Sequence, residues 1–258
     1  MSKSRQDPDA TIQIRTFGVT FGYGQTAPPR SITPPGIAAW DQLVYATRGV
    51  MTVRTDQAAW LVPPHRAVWI RAGVRFHVEM AGTVALRVLY VRPKRRAAAP
   101  EPCRVVNISL LLRELIVRAV QLGALDSGIP AHRRLIGVIR DELAALTAVP
   151  LQLPLPRDPR AARLADLIRQ GGAALPLVRL LRPAGTSRRT MERLFREETA
   201  MCLGRWLRRA RLLEGLRRMG AGDTVADVAL DLGYSSASAF ISMFRREVGE
   251  TPRRYLES

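Results

Sequence analysis

Short runs of β-branched and aromatic residues, separated by Gly and Pro, occupy the first third of the chain. Runs of this kind, bounded by turn residues, are typical of strands. The clearest runs are residues 43–46, 50–53, 68–70 and 84–91, and the first two are joined across Arg48 and Gly49 like the arms of a hairpin. The pattern predicts an all-β domain, a sandwich or a barrel, over residues 11–92.

Helical periodicity replaces the strand pattern in residues 104–149. Two apolar stripes have the spacing of amphipathic helices, one at Leu112, Leu115, Ile116 and Ala119 and the other at Leu135, Val138, Ile139, Leu143 and Leu146. These helices could form a dimerisation surface or simply cover the sheet. Residues 150–159 contain four prolines, which prevent a continuous helix. We therefore predict a Pro-rich linker there and a separate domain over residues 160–258.

An internal repeat organises this last domain. Residues 194–198 and 243–247 are similar and lie 49 positions apart, and an upstream match at an offset of 48 aligns Gly185 with Gly233. Each copy predicts a short helix, a glycine turn and a second helix that begins at a serine cap, Ser187 in the first copy and Ser235 or Ser236 in the second. Two helix-turn-helix units follow from this pattern.

The second helix of each unit has an apolar face and a polar face. Apolar residues cluster at Met191, Leu194 and Phe195 and at Phe240, Met243 and Phe244, while the opposite faces carry Arg189, Arg193 and Arg196 and Ser238, Ser242 and Arg245. Such faces suit the major groove of double-stranded DNA, where Arg and Ser bond to base edges. We expect Arg188, Arg205 and Arg246 to contact phosphates. A merely solvated charged face is the alternative.

The charge of the chain agrees with a polyanionic partner. Forty Lys and Arg against 22 Asp and Glu give a formal charge of +18, which favours nucleic acid but does not distinguish specific from non-specific binding. Two distant cysteines indicate neither a disulfide framework nor a zinc site. We expect a cytoplasmic protein, because the sequence shows neither an export signal nor a membrane span.

The repeat resembles the AraC family of bacterial transcription regulators. The resemblance lies in residues 185–195, 228–240 and 251–255, and the N-terminal part is similar to the family's cupin-like subgroup in residues 42–46 and 63–70. It implies an α+β protein with an N-terminal cupin-like β-barrel, a segment of helices and a C-terminal all-α domain. It also implies a dimer or a monomer that binds promoter DNA and responds to a small effector, so the implied partners are DNA, the effector, a second copy of the chain if it dimerises, and RNA polymerase if the protein is an activator.

The sequence departs from the family pattern at several positions. Gly36 and Ala38 stand where cupin-like members carry histidines, and another expected histidine aligns with Phe76, beside His77. His65 and His77 without a carboxylate partner are too few ligands for a metal, so we predict no metal, cofactor or catalytic residue. In the helical domain, Pro183 should shorten the first helix of the first unit. Ala200 follows the second helix of the first unit, at the position that Gly249 occupies in the second unit. Alanine in place of glycine at this position predicts backbone strain.

We therefore predict a sequence-specific DNA-binding transcription regulator and not an enzyme. Two alternatives remain at this stage. One is a cupin-type metal-dependent enzyme or sensor with a nucleic-acid-binding tail, which stoichiometric metal in the purified protein would support. The other is a non-specific DNA-binding protein, whose affinity would fall steeply with salt and ignore sequence.

Overall fold

The computed structural model describes residues 14–21, 26–27, 40–91, 102–123, 125–169, 175, 177–181 and 186–257. Within them the chain is an α+β protein in which a sheet precedes a helical C-terminal half. The strands are β1 (Ile14–Phe21), β2 (Thr26–Ala27), β3 (Asp41–Arg54), β4 (Ala58–Val62), β5 (Arg66–Ile70), β6 (His77–Val91), β7 (Cys103–Asn107), β8 (Ala148–Val149) and β9 (Gln152–Pro154). The helices are α1 (Leu110–Leu122), α2 (Pro130–Ala144), α3 (Pro159–Arg169), α4 (Leu177–Leu181), α5 (Arg188–Thr199), α6 (Leu203–Ala221), α7 (Val225–Asp231), α8 (Ala237–Val248) and α9 (Pro252–Glu257).

The described strands form one curled antiparallel sheet, a half-barrel, in the order β1, β6, β3, β5, β7, β8. The long strands β3 and β6 run side by side from Asp41 opposite Val91 to Arg54 opposite His77. On its other side β3 pairs with β5 along its first half and with β4 along its second half. β2 pairs with β6 and β9 pairs with β4. The prediction of an N-terminal β domain is confirmed.

The predicted hairpin at Arg48 and Gly49 is wrong. Residues 43–46 and 50–53 belong to one strand, β3, and both pair with β6. The register with β6 shifts between Ala46 and Arg48 and again between Arg48 and Val50, and Gly49 has a φ of 80°. Glycine with positive φ serves a bulge as readily as a turn, so this local signal does not distinguish a bent strand from a hairpin.

Alternate residues of the sheet face two different cores. Leu43 and Tyr45 pack against α1 and α2, which cover the outer face of the sheet. Val44 and Ala46 point to the opposite side and join a second cluster of buried residues. The two predicted helices therefore cover the sheet.

The structure differs from the predicted linker at residues 150–159. Residues Gln152–Pro154 form β9, which pairs with β4, so that Pro154 lies opposite Ala58. Proline is accommodated in an edge strand, where its missing N–H need not face a partner. Strands β7 and β8 likewise lie in the segment that was predicted to be helical. The β domain thus continues well beyond residue 92.

The inner core continues from the sheet into the helical half. Trp206 of α6 donates a hydrogen bond from Nε1 to the carbonyl oxygen of Pro154, at 2.7 Å, and Arg209 donates from Nε to the carbonyl oxygen of Gln152, at 3.1 Å. Near its C-terminal end α6 approaches β3 so closely that a Cβ atom on Gly220 would overlap the side chain of Val50. Helix α6 is therefore the main contact between the helical half and the sheet.

Candidate nucleic-acid interface

The second predicted unit is a helix-turn-helix formed by α7 and α8. Thr224 begins α7, its Oγ1 accepting a hydrogen bond from the Asp227 amide at 3.2 Å. The turn after α7 contains Gly233 with a φ of 79°, the conformation predicted from the repeat. Helix α8 then begins at Ser236, whose Oγ accepts from the Ala239 amide at 3.1 Å. Of the two serines predicted as the cap, Ser236 is the one that caps the helix.

In the first unit, α4 and α5 correspond to α7 and α8. Ser187 caps α5 as predicted, since its Oγ accepts a hydrogen bond from the Thr190 amide at 3.2 Å. Ala200 ends α5 in the left-handed conformation with a φ of 56°, and Gly249 ends α8 in the same region with a φ of 96°. The expected strain at Ala200 is therefore present. Pro183 and the repeat glycine Gly185 lie outside the described residues.

The apolar faces of α5 and α8 are buried as predicted. Phe195 stands edge-on to Trp206 of α6, with ring centroids 5.1 Å apart. Phe240 contacts Phe244, and Phe244 in turn stands edge-on to Tyr255 of α9, at 5.9 Å. Edge-to-face aromatic pairs stabilise beyond the area they bury. Each helix is thus fixed along one face, which leaves its opposite face in a defined orientation.

Every residue predicted to contact DNA is exposed, namely Ser187, Arg188, Arg189, Arg193, Arg196, Arg205, Ser235, Ser236, Ser238, Ser242, Arg245 and Arg246. Those on α5 form one polar surface and those on α8 form another. Arg205 lies in the first turn of α6, just after the first unit. Ser236 is engaged in capping, so its Oγ is already a hydrogen-bond acceptor within the protein. The exposed guanidinium and hydroxyl groups suit phosphates and base edges.

Glutamates that the sequence interpretation did not single out modify the surface of α5. Glu197 Oε2 lies 2.7 Å from the Arg193 guanidinium, one turn earlier on the exposed face. Glu192 lies 3.9 Å from Arg188 and also accepts a hydrogen bond from the Leu203 amide at the start of α6, at 3.2 Å. The spacing of four residues between Arg193 and Glu197 is the signal that could have revealed the first pair.

The histidines of the β domain have protein partners. His65, with a φ of 63°, contacts Arg113 of α1. His77 lies 3.4 Å from a carboxylate, Glu79, contrary to the expectation that it has no such partner, but the same carboxylate oxygen is bound by Arg54 at 2.9 Å. Within the described ranges, no group of three or more His, Cys, Asp or Glu side chains is arranged to hold a metal ion.

Comparison with known proteins decides the family. Residues 180–258 match the model of a helix-turn-helix domain, and residues 18–133 match that of an AraC-like ligand binding domain. The HTH-type transcriptional regulator NimR of Escherichia coli is 34% identical over 218 residues, which are 83% of this chain and 79% of NimR. The chain belongs to the AraC family of transcription regulators. Members of this family regulate transcription by binding DNA and are not enzymes.

Other comparisons match part or most of the chain. The regulatory protein SoxS of Salmonella typhimurium is 37% identical over 73 residues, 28% of this chain and 68% of SoxS. The match to the solved structure of ToxT from Vibrio cholerae covers 95% of this chain and 98% of the ToxT chain, with 10% identity and a TM-score of 0.38.

In the part of the chain that the structure describes, no helix combines the length and apolar character needed to cross a membrane.

Proposed function

We propose that α5 and α8 read successive major grooves of promoter DNA. The observation that supports this most directly is that both helices bury one face and expose the predicted contact residues on the other. In this proposal Arg189, Arg193 and Arg196 contact one groove, and Ser238, Ser242 and Arg245 contact the next. Arg188, Arg205 and Arg246 bind phosphates and fix the position of the protein along the DNA. The hydroxyls of Ser187, Ser235 and Ser236 lie beside the DNA backbone, where α5 and α8 begin.

The helix that joins the two units has a suitable length. Helix α6 contains 19 residues and, at a rise of 1.5 Å per residue, spans about 28 Å. Successive major grooves on one face of B-DNA are about 34 Å apart. A rigid helix of this size therefore allows a single chain to contact two adjacent grooves.

Substitution of one residue in each face tests the proposal. An Arg that contacts guanine with two hydrogen bonds contributes roughly 1–3 kcal/mol of base discrimination, so Arg193→Ala should weaken binding to the selected operator and relax preference at its own base positions. Ser242→Ala should relax the base preference at positions about one helical turn of DNA away. Arg104→Ala, an exposed arginine on β7, is the control. Unchanged footprint and sequence preference in both variants would disprove the assignment of the reading faces.

We further propose the remaining partners of a cytoplasmic regulator: a small effector, a second copy of the chain, and RNA polymerase where the protein activates. The match to an AraC-like ligand binding domain supports the effector. Exposed apolar side chains on α1 and at the start of α2, including Leu110 at 72% exposure, support association of two copies. Sedimentation equilibrium should show a dimer that Leu110→Ser together with Leu111→Ser converts to monomer, whereas a monomeric wild type would disprove the dimer.

A further inference from the structure

The two helix-turn-helix units are attached to α6 in different ways. In the first unit Phe195 of α5 meets an aromatic side chain of α6 itself, since its ring stands edge-on to Trp206. In the second unit an aromatic neighbour of α8 comes from the turn between α7 and α8. There Tyr234 stands edge-on to Phe240, with ring centroids 5.4 Å apart. The repeat places Thr186 at the position of Tyr234 in the first unit, so an aromatic pair of this kind cannot form there.

Arg211 of α6 holds the polar end of Tyr234. The guanidinium carbon of Arg211 lies 5.9 Å from the centroid of the Tyr234 ring, and the guanidinium group hydrogen bonds to the phenol. A guanidinium group can only donate, so the phenol oxygen is the acceptor. Burial raises the pKa of Tyr234, so the phenol stays protonated and neutral. The contact with Arg211 therefore needs the phenol oxygen, whereas the contact between Tyr234 and Phe240 needs only the two rings.

The Phe240 ring also lies directly on α6. A Cβ atom on Gly215 would come within 2.7 Å of the Phe240 ring and 3.4 Å of the Leu232 side chain, so a larger residue there would push the ring away. Arg211 and Gly215 are four residues apart and lie on the same face of α6, about 6 Å from each other along the helix axis. The pair of Tyr234 and Phe240 thus rests on α6 at two points that are one helical turn apart.

Two contacts constrain the orientation of α8 more than one contact does. Gly215 fixes how closely α8 approaches α6, but a ring that rests on one small residue can still rotate. The contact with Arg211, one turn away along α6, opposes such a rotation. Phe240 lies between Ser238 and Ser242, two of the residues proposed to read the second groove, so a rotation of the ring would turn them relative to the bases. Their hydrogen bonds would weaken, because hydrogen bonds depend steeply on distance and angle.

We propose that Arg211 is a positioning residue for base recognition by α8. It acts through Tyr234 and Phe240, sets the orientation of α8 on α6, and does not itself contact DNA. This inference rests on the proposed function, in which α8 reads one of two successive grooves. Because the first unit is attached through Trp206, the effect of Arg211 is confined to the groove that α8 contacts.

The test measures base discrimination separately in the two halves of the selected operator. Discrimination is the ratio of the affinities for this operator and for an operator with one changed base pair. The changed pair lies either in the α8 half, which Ser242→Ala affects, or in the α5 half, which Arg193→Ala affects. Arg211→Met and Tyr234→Phe in the full-length protein should each lower discrimination in the α8 half about fivefold and leave the α5 half within about twofold of the wild type.

Three further variants separate the contact from its charge. The double variant of Arg211→Met with Tyr234→Phe should resemble either single variant, because both remove the same hydrogen bond. Arg211→Lys keeps a cationic donor and should retain most of the discrimination. Arg208 is exposed one turn earlier on α6, and its charge also acts on Tyr234. Arg208→Met is the matched control, since it removes the same charge but not the hydrogen bond, and should leave discrimination unchanged in both halves.

Each contrary outcome has a distinct meaning. Wild-type discrimination in the α8 half of both Arg211→Met and Tyr234→Phe would overturn the proposal, and Tyr234→Phe alone decides if Arg211→Met does not fold. An equal loss in both halves would also overturn it, because it indicates a general defect. A uniform loss of affinity in Arg211→Met, with unchanged discrimination and a shallower salt dependence, would overturn it by identifying a phosphate contact. A wild type without base preference in the α8 half would refute the proposed function. A preference that Ser242→Ala changes and these variants do not would refute the role of Arg211 alone.

Discussion

The close approach of α6 to the sheet makes Gly220 a direct probe of how the helical half is held. Gly220 lies in the last turns of α6, and a methyl group there would overlap the side chain of Val50, which is fully buried on β3. Gly220→Ala should therefore separate α6 from the sheet without touching the exposed faces of α5 and α8. The substitution tests whether the contact between the two halves contributes to stability.

Two opposing effects set the magnitude. Alanine in a helix is favoured over glycine by up to about 1 kcal/mol, whereas forcing extra volume into a packed core costs roughly 1–3 kcal/mol. The neighbour is the branched side chain of a buried valine, which cannot move aside like the end of a long side chain. We therefore expect a net loss of roughly 1 kcal/mol or more in the free energy of unfolding. Gly204→Ala supplies the control, because the nearest neighbour of its new methyl group is the flexible Arg208 guanidinium at 3.9 Å.

Urea denaturation of four proteins completes the experiment: the wild type, Gly220→Ala, Val50→Ala and the double variant. Val50→Ala alone should destabilise by roughly 1–3 kcal/mol, because buried methyl groups are lost. In the Val50→Ala protein the overlap is largely removed, so Gly220→Ala should become neutral or stabilising there. The coupling energy should then be about 1–2 kcal/mol, within the range of residues in contact. A Gly220→Ala protein as stable as Gly204→Ala, with no coupling to Val50, would refute the packing argument.

Three further predictions concern single side chains. Glu197→Gln should raise operator affinity about twofold to fivefold at low salt in a binding titration, because it frees Arg193 from a weak exposed ion pair and removes a negative charge near phosphates; equal or lower affinity would contradict this. Ser236→Ala should lower the free energy of unfolding by about 1 kcal/mol through loss of the cap of α8, while Ser235→Ala should change it by less than about 0.5 kcal/mol. Burial opposes ionisation of Glu79, but the hydrogen bond and charge of Arg54 outweigh it and lower the pKa of Glu79. A lowered carboxyl pKa adds stability that is lost as the pH falls through the folded value, so denaturation titrations should show that acidification below about pH 5 destabilises the wild type more than Glu79→Gln.

The helical half follows closely from its sequence because its signals are local. A serine cap, a glycine suited to positive φ and an apolar stripe act within a few residues of one another, and each of these features occurs in both copies of the repeat. Ser187 and Gly233 are found in the predicted roles. The choice between Ser235 and Ser236 needed the structure, since adjacent serines differ only in which one occupies the extended residue before the helix.

The sheet was harder to predict because strand pairing joins distant residues. Gly49 permits either a hairpin or a bulge, and the outcome depends on β6, which lies about 30 residues further along the chain and pairs with both halves of β3. Leu151, Leu153 and Leu155 alternate with Gln152 and Pro154 as in a strand, but the density of prolines favoured a linker, and residues 152–154 form a strand because they pair with β4. The ion pair of Glu79 with Arg169 likewise depends on the packing of α3 against the sheet, and the ion pair with Arg54 depends on the pairing of β3 with β6.

Helix α6 links these two levels of organisation. At about 100° per residue, its buried residues Leu207, Leu212 and Leu213 point in directions roughly 100–140° apart, so α6 is enclosed on most sides. One side packs on α5 through Trp206, another on α8 through Gly215, where a Cβ atom would lie 2.7 Å from the Phe240 ring, and a third on β3 through Gly220. Because cores packed this closely transmit displacements, a shift of α6 against the sheet would also move its contacts with both DNA-reading helices. The same helix that spaces the two units is therefore placed to transmit the state of the β domain to them.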